Sequence, residues 1–278
     1  VIADRTNYIL GGRNTFNYFL GAYPGHKNYD RDVLVYCESP DETSSVNDVL
    51  AYYESVWNYK ESKAFLKNNK CAGNKKVKAA RKELLDNYNN NIALLSNPIE
   101  CGAKKPVVWY QLTKLMEQAD SQVKIHTPYI ICNEYMYDGL KKVCDSVENV
   151  SLMTNSVGNN GNPFGSADYY AHKDKVLGTG LEVWEYEGGY SYHGKSVLID
   201  DDISVVGSFN IDMRSVYLDT ELMLVIDSKE INEQLGGAMQ TYEHSARKAN
   251  ADGTYDNPYN VQPVALTPKR ERRMKLIK

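Results

Sequence analysis

The 278-residue sequence has no run of 18 apolar residues, and its few cysteines follow no framework pattern. A helix that crosses a bilayer needs about 20 mostly apolar residues, so no transmembrane helix is predicted within this sequence. The five cysteines are odd in number and form no C-x-x-C pair or Cys/His cluster. A disulfide scaffold and a structural zinc site are therefore not expected.

The sequence also lacks an excess of positive charge, since its net charge is −4. Proteins that bind nucleic acid without sequence preference are usually basic, so this negative net charge argues against a nuclease. The apolar content of 42% and the charged content of 24% are ordinary for a globular protein. A chain of this length can bury a large core in one or two domains.

The most informative stretch is YHGKSVLIDDDISVVGSFN, residues 192–210. Residues 192–199 and 203–206 are rich in the β-branched residues that favour strands, and the three aspartates between them favour a turn. Alternate residues of a strand share a face, so His193 and Lys195 point the same way.

A hairpin centred on residue 201 places Lys195 opposite Gly207 and His193 near Asn210. An imidazole, an ammonium, the Ser208 hydroxyl and a carboxamide then converge on one small patch. These groups combine a nucleophile or acid/base with three donors suited to a phosphoryl group.

The stretch resembles the HKD signature of the phospholipase D superfamily. An isolated H-x-K pair is usually a solvated strand edge, but the full string is too long to be a common chance match. The continuation IDMRSVYLDTE, residues 211–221, resembles the bacterial cardiolipin synthase and phospholipase D-like branch, although Asp219 stands where that branch more often has Asn. The motif positions matched are His193, Lys195, Asp200, Gly207, Ser208 and Asn210.

A second, incomplete copy of the motif begins the sequence in VIADRTNYILGGRN, residues 1–14. Asp4 and Asn14 lie 196 residues before their counterparts in the complete motif, and Gly12 replaces its serine. The histidine and lysine of this copy would precede Val1. We therefore expect a missing upstream segment that carries them; a natural pseudoenzyme start is the alternative.

Two acidic residues are candidates for orienting the motif histidines. Glu221 begins the apparent strand ELMLVI, 28 residues after His193, and Asp32 begins the similar strand DVLVY. The resemblance implies that such a carboxylate bonds the far ring nitrogen, which fixes the tautomer and stabilises the imidazolium. We expect Glu221 to orient His193 and Asp32 to orient the absent histidine; ordinary acids at strand starts are the alternative.

Strand-like and helix-like segments alternate along the chain, which favours an α/β fold. The resemblance implies a phospholipase D-like fold, a mixed β-sheet flanked by helices in two pseudo-repeated lobes, the first one truncated. A basic helix is predicted over residues 75–90, and Tyr129 either faces the substrate or packs in the core. The expected division is a first-lobe remnant over 1–95, a linker over 96–106, the second lobe over 107–250 and a basic tail over 251–278.

The end of the chain, TPKRERRMKLIK at 267–278, carries six basic residues and one glutamate. Its charge of +5 leaves −9 for the rest of the chain, an asymmetry that favours contact with an acidic surface. We expect an anionic membrane, at which each basic residue contributes about 1 kcal/mol. A disordered tail or a truncated terminal helix is the alternative.

The resemblance implies phosphodiester chemistry at two histidines, one attacking phosphorus and the other protonating the leaving alkoxide. Lys195 and Asn210, with their repeat partners, would hold the non-bridging oxygens, Asp200 would have a structural part, and no metal or other cofactor is expected. The favoured function is a membrane-associated cardiolipin synthase-like phosphatidyltransferase or phospholipase D on the cytoplasmic face. A nuclease and an inactive fragment are the alternatives, and the chain by itself is expected to be nearly inactive.

Overall fold

The structure, a computed structural model, describes residues 1–19, 28–63 and 91–277. The described residues form a three-stranded sheet, a nine-stranded mixed sheet and a two-stranded pair, with helices against them. The predicted α/β fold with a mixed sheet flanked by helices is therefore confirmed. The basic helix predicted over 75–90 lies outside the described residues.

The described strands belong to two sheets and one short parallel pair. The three-stranded antiparallel sheet contains β1 (Ile2–Ala3), β2 (Asn7–Gly11) and β3 (Asp32–Tyr36). The strands of the nine-stranded sheet are β4 (Asn91–Ser96), β5 (Gln122–His126), β7 (Asn149–Asn155), β8 (Glu182–Tyr186), β9 (Ser196–Ile199), β10 (Ile203–Gly207), β12 (Leu222–Asp227), β13 (Ala246–Ala249) and β14 (Tyr255–Asp256). The short strands β6 (Ile130–Ile131) and β11 (Ile211–Asp212) pair in parallel.

The nine-stranded sheet has the order β14-β13-β8-β7-β5-β9-β10-β12-β4. Its β5, β7 and β8 are parallel, whereas β9, β10, β12 and β4 form antiparallel neighbours. The helices are α1 (Ser45–Trp57), α2 (Val107–Met116), α3 (Glu134–Ser146), α4 (Pro163–Leu177), α5 (Met213–Tyr217), α6 (Lys229–Glu243) and α7 (Pro268–Ile277).

Both faces of the motif hairpin β9–β10 are buried. Val197 and Val205 belong to the largest core cluster, which includes residues of α2 and α3. Leu198 and Val206 point to the other face and pack with residues of α6. Burial on both faces explains the nearly continuous apolar run of these strands, and it fixes the backbone from which the motif side chains project.

The two motif copies have the same local geometry. β1 pairs with β2 through Ile2 with Tyr8 and Ala3 with Asn7, and β9 pairs with β10 at the positions 196 residues later. The turn residues Asp4 and Asp200 both have positive φ angles, 55° and 49°. Aspartate tolerates this left-handed conformation better than most residues. The sequence repeat is thus a repeat of hairpin structure.

The predicted lobe and tail boundaries stay predictions. β4 lies within the range 1–95 except for its last residue, Ser96, yet it pairs along its length with β12 of the nine-stranded sheet. The end of the chain forms α7, which packs against α4 and buries Met274. No helix among the described residues is long and apolar enough to span a bilayer.

Candidate active site

A cleft of about 540 Å³ lies where the two hairpins meet. The predicted opposition within the motif hairpin is present, because the amide of Gly207 donates to the carbonyl of Lys195 at 3.3 Å. His193 and Lys195 are only 9% and 2% exposed. The sequence-predicted residues that line the cleft are Gly12, Asn14, Tyr129, His193, Lys195, Ser208, Asn210 and Glu221.

The imidazole of His193 is held by a segment of the first repeat. Tyr29 and Tyr192 form a parallel bridge, and the amide of His193 donates to the carbonyl of Tyr29 at 2.6 Å. This pairing brings Oδ2 of Asp30 to 2.8 Å from Nδ1 of His193. The neutral imidazole donates from Nδ1 to this carboxylate, which leaves the lone pair of Nε2 available for chemistry.

Lys195 lies directly beside the imidazole, with its Nζ 2.6 Å from Nδ1 and 3.2 Å from Nε2 of His193. Burial lowers the pKa of His193, and the hydrogen bond to Asp30 opposes this shift. Burial also lowers the pKa of Lys195 to about 8. At neutral pH the site therefore presents a neutral imidazole next to an ammonium that is mostly charged, which suits attack on a phosphoryl group.

Glu221 does not orient His193, contrary to the sequence prediction. Its carboxylate accepts hydrogen bonds from the hydroxyls of Ser208 and Ser215, the second at 2.6 Å. Burial raises the pKa of Glu221. The position beside Nδ1 of His193 is taken by Asp30, because the bridge between residues 29 and 192 aligns the two segments.

The role expected of Asp32, to orient the absent histidine, stays a prediction, but strand register makes Asp30 the counterpart of Glu221. In β2–β3, Gly11 pairs with Asp32, and in β10–β12 its repeat counterpart Gly207 pairs with Met223. Two residues before these partners, just ahead of β3 and β12, stand Asp30 and Glu221, which are therefore equivalent. The carboxylate of Asp32 accepts from Nε of Arg13 instead. Sequence alternation could not choose between them, since residues two apart on a strand share a face.

The remaining motif side chains reach the cleft as expected. The Nδ2 of Asn210 donates to Oγ of Ser215 at 3.2 Å, which fixes the carboxamide and leaves its second N–H free to donate. Gly12 permits a close approach, because a Cβ at this position would lie 2.9 Å from Nζ of Lys195. A serine in the first repeat would therefore push against the lysine of the second.

Asp200 and Asp4 lie in the turns, away from the cleft. The Asp200 carboxylate accepts from the backbone amides of residues 120, 121 and 122 at 2.8, 2.9 and 3.1 Å. It thus anchors the motif hairpin to the chain entering β5, in keeping with the structural role expected for it. Asp4 occupies the matching turn of the first repeat.

Several residues of the cleft had not been predicted. Asn162 precedes Pro163 and caps α4, since its side chain accepts from the amide of Phe164. Such an Asn-Pro pair is a sequence signal for a helix start, although not for its place in a site. The cleft residues outside the predicted set are Ile131, Asn162, Phe164, Asp212, Met213, Arg214 and Asp219.

Two related hairpins share one His/Lys/Asn cleft beside a mixed α/β sheet, in agreement with the predicted phospholipase D-like fold. Residues 112–242 match the family model described as "Cardiolipin synthase, PLD-like domain". Phosphatidylserine synthase of Haemophilus influenzae has the same fold, with a TM-score of 0.66 and 16% identity over 98% of this chain and 66% of that chain. The family match supports the phospholipase D superfamily and its cardiolipin synthase-like branch for this chain.

Two curated relatives match part of the chain. Cardiolipin synthase 1 of Staphylococcus epidermidis is 30% identical over 131 residues, 47% of this chain and 26% of that protein. Cardiolipin synthase A of Escherichia coli O157:H7 is 39% identical over 77 residues, 28% of this chain and 16% of that protein. The aligned part of the chain thus spans about a quarter or less of the length of these relatives.

Proposed function

We propose that this protein transfers or hydrolyses the phosphodiester of glycerophospholipids, as a cardiolipin synthase-like phosphatidyltransferase or phospholipase D. The observation that carries the proposal is the convergence of His193, Lys195 and Asn210 on one cleft with Asp30 and Asn14 of the first repeat. The similarity to cardiolipin synthases supports a phospholipid substrate.

In the proposed reaction, the lone pair on Nε2 of His193 attacks phosphorus and the bond from phosphorus to one ester oxygen breaks. Asp30 accepts the hydrogen bond from Nδ1–H and stabilises the positive charge that grows on the ring. Lys195 and the free N–H of Asn210 bind the non-bridging oxygens and offset their increasing charge. Water or an alcohol then attacks the phosphohistidine and gives its proton to the group that protonated the leaving alkoxide, which releases the product and restores the imidazole.

The leaving alkoxide needs a proton from a second acid. The sequence contains a single H-x-K pattern, at His193 and Lys195. The repeat relation predicts that the other acid is a histidine at the equivalent point of the first motif, facing Gly12 and Asn14. The roles of nucleophile and acid are interchangeable between the two histidines. We therefore expect turnover only from a protein that carries both histidine–lysine pairs.

The substrate is expected at an anionic membrane, which the basic residues around α7 would approach. Part of this charge is already engaged, since Arg270 donates to the carbonyl of Gly158 at 2.6 Å and to that of Asn160. Arg272 is exposed and able to face lipid headgroups. Nucleic acid remains the second candidate substrate because the motif itself recognises only a phosphodiester.

The test is phosphatidyl transfer and hydrolysis on phosphatidylglycerol vesicles, with DNA hydrolysis in parallel. The protein should carry an H-x-K pattern at the motif spacing before Asp4. We expect His193→Ala to abolish lipid turnover and His244→Ala, an exposed histidine outside the cleft, to leave it unchanged. Retained turnover in His193→Ala, or DNA cleavage without lipid turnover, would reject the proposal.

A further inference from the structure

Four apolar side chains line the cleft together with the polar side chains of the motif. They are Tyr129, Ile131, Phe164 and Met213, which we call the apolar wall. None of these four residues belongs to the H-x-K motif. A site that recognised only a small polar diester would gain nothing from an apolar surface beside it, so the wall requires its own explanation.

The apolar wall is continuous because of two local contacts. β6 and β11 pair Ile131 with Asp212, and Met213 follows Asp212 directly at the start of α5. At the other end, a Cβ built on Gly165 would lie 2.9 Å from the ring of Tyr129. That ring therefore packs against the first turn of α4, beside Phe164.

The apolar wall runs from the reacting imidazole to solvent. The ring of Tyr129 lies 6.1 Å from that of His193, centroid to centroid. Phe164 and Met213 are 63% and 43% exposed, so they stand at the rim. A ligand with its phosphorus at His193 would contact Tyr129 first. Its far end would then extend out of the cleft past the exposed side chains of Phe164 and Met213.

We propose that the apolar wall is a subsite for the acyl-glycerol part of the substrate, an inference that rests on the proposed phospholipid function. A diacylglycerol ester places its apolar chains directly beside the phosphodiester, which matches an apolar wall beside the motif side chains. Each methylene that moves from water to an apolar surface contributes about 0.8 kcal/mol of binding free energy, so even short acyl chains should lower the Kd measurably.

A nucleobase platform is the competing use of Tyr129 and Phe164, since bases stack on aromatic rings. Two features favour acyl chains instead. Ile131 and Met213 are aliphatic, and the carboxylate of Asp212 lines the same cleft. Asp219 is paired with Arg214 at 3.3 Å, so Asp212 is the carboxylate that would repel the neighbouring phosphates of a polynucleotide, whereas a phospholipid brings a single diester.

The test measures binding to the full 278-residue chain and needs no turnover. Phosphatidylglycerols of increasing acyl length are titrated below their micelle concentrations, with glycerophosphoglycerol as the deacylated probe. The wall variants are Phe164→Ser and Met213→Ser. Their controls are Tyr170→Ser and Leu218→Ser, which change side chains that are 55% and 50% exposed and lie outside the cleft.

For the unmodified chain, Kd should fall about fourfold with each methylene that reaches the wall, the equivalent of ~0.8 kcal/mol. The wall variants should flatten this dependence and leave the Kd of glycerophosphoglycerol unchanged, whereas the controls should keep it. Equal chain-length dependence in wall and control variants overturns the subsite while the phospholipid function stands.

Two other outcomes also decide the question. If neither the acylated lipids nor glycerophosphoglycerol bind, the proposed function fails and the subsite fails with it. If Phe164→Ser weakens binding of oligothymidylate but not the acyl-length dependence, the wall is a base platform and the acyl assignment is wrong.

Discussion

Replacing Asp30 by Asn should lower the pKa of His193. The Asp30 side chain is 0% exposed, and its Oδ2 lies 2.8 Å from Nδ1 of the imidazole. An opposite charge so close favours the imidazolium, and this attraction partly offsets the effect of burial, which lowers the pKa. The amide oxygen of asparagine can still accept from Nδ1, so the substitution removes the charge and keeps the tautomer.

Asp32→Asn is the matched control for this prediction. Asp32 is two residues away on the same strand face, but its carboxylate is paired with Arg13 and not with the imidazole. Its replacement should shift the pKa of His193 much less. The sequence prediction gave Glu221 as the partner of His193 and Asp32 as the partner of the absent histidine, so Asp32→Asn controls for the loss of a nearby negative charge that does not bond the imidazole.

The assay is an NMR titration of the full chain labelled with carbon-13 at the histidine rings, with His193→Gln to assign the signal. A shift of 1 unit corresponds to about 1.4 kcal/mol, which such a titration resolves easily. The reasoning is refuted if Asp30→Asn leaves the pKa of His193 unchanged or raises it. It is equally refuted if Asp32→Asn produces the larger decrease.

Three further predictions concern other parts of the structure. Gly12→Ser should displace the ammonium of Lys195 and weaken vanadate binding about tenfold or more, because a charge-assisted hydrogen bond is lost; an unchanged Kd would argue against this contact. Arg270→Ala should speed amide exchange of residues 157–162, because Arg270 binds the carbonyls of Gly158 and Asn160, whereas the exposed Arg272→Ala should not; equal effects would contradict the stabilisation of this loop by Arg270. Burial lowers the pKa of His126 from 6.5 to about 4, so the unfolded state binds more protons between these values. Stability should therefore fall by about 3 kcal/mol as pH drops through that window, and His126→Gln should flatten the profile of urea midpoints.

The sequence was sufficient for the features that local geometry encodes. The aspartate turn determines which residues of β9 and β10 face each other, so the opposition of Lys195 and Gly207 followed from counting residues. The offset of 196 residues predicted the second hairpin, and both turns adopt the same left-handed conformation at Asp4 and Asp200. The polar motif residues of the cleft could therefore be predicted with no knowledge of the tertiary structure.

The features that depend on contacts between distant segments could not be predicted. Asp30 meets His193 only because residues 29 and 192 pair, and these are far apart in the chain. The apolar wall forms where the starts of α4 and α5 meet the β6–β11 pair, and no sequence period marks such a meeting. The basic end of the chain predicted contact with an anionic surface, and no sequence pattern indicated that the packing of α7 on α4 would direct Arg270 into a loop.

The hydrogen bond between Asp30 and His193 joins the two repeats. Asp30 and Glu221 are equivalent in strand register, and Asp30 serves the histidine of the other repeat. The same symmetry predicts that Glu221 serves the histidine of the first motif, and not His193 as the sequence suggested. Each half of the site would then need a carboxylate from the other half to hold its imidazole in the reactive tautomer. Separating the repeats should therefore disable both histidines at once, because neither hairpin contains its own orienting acid.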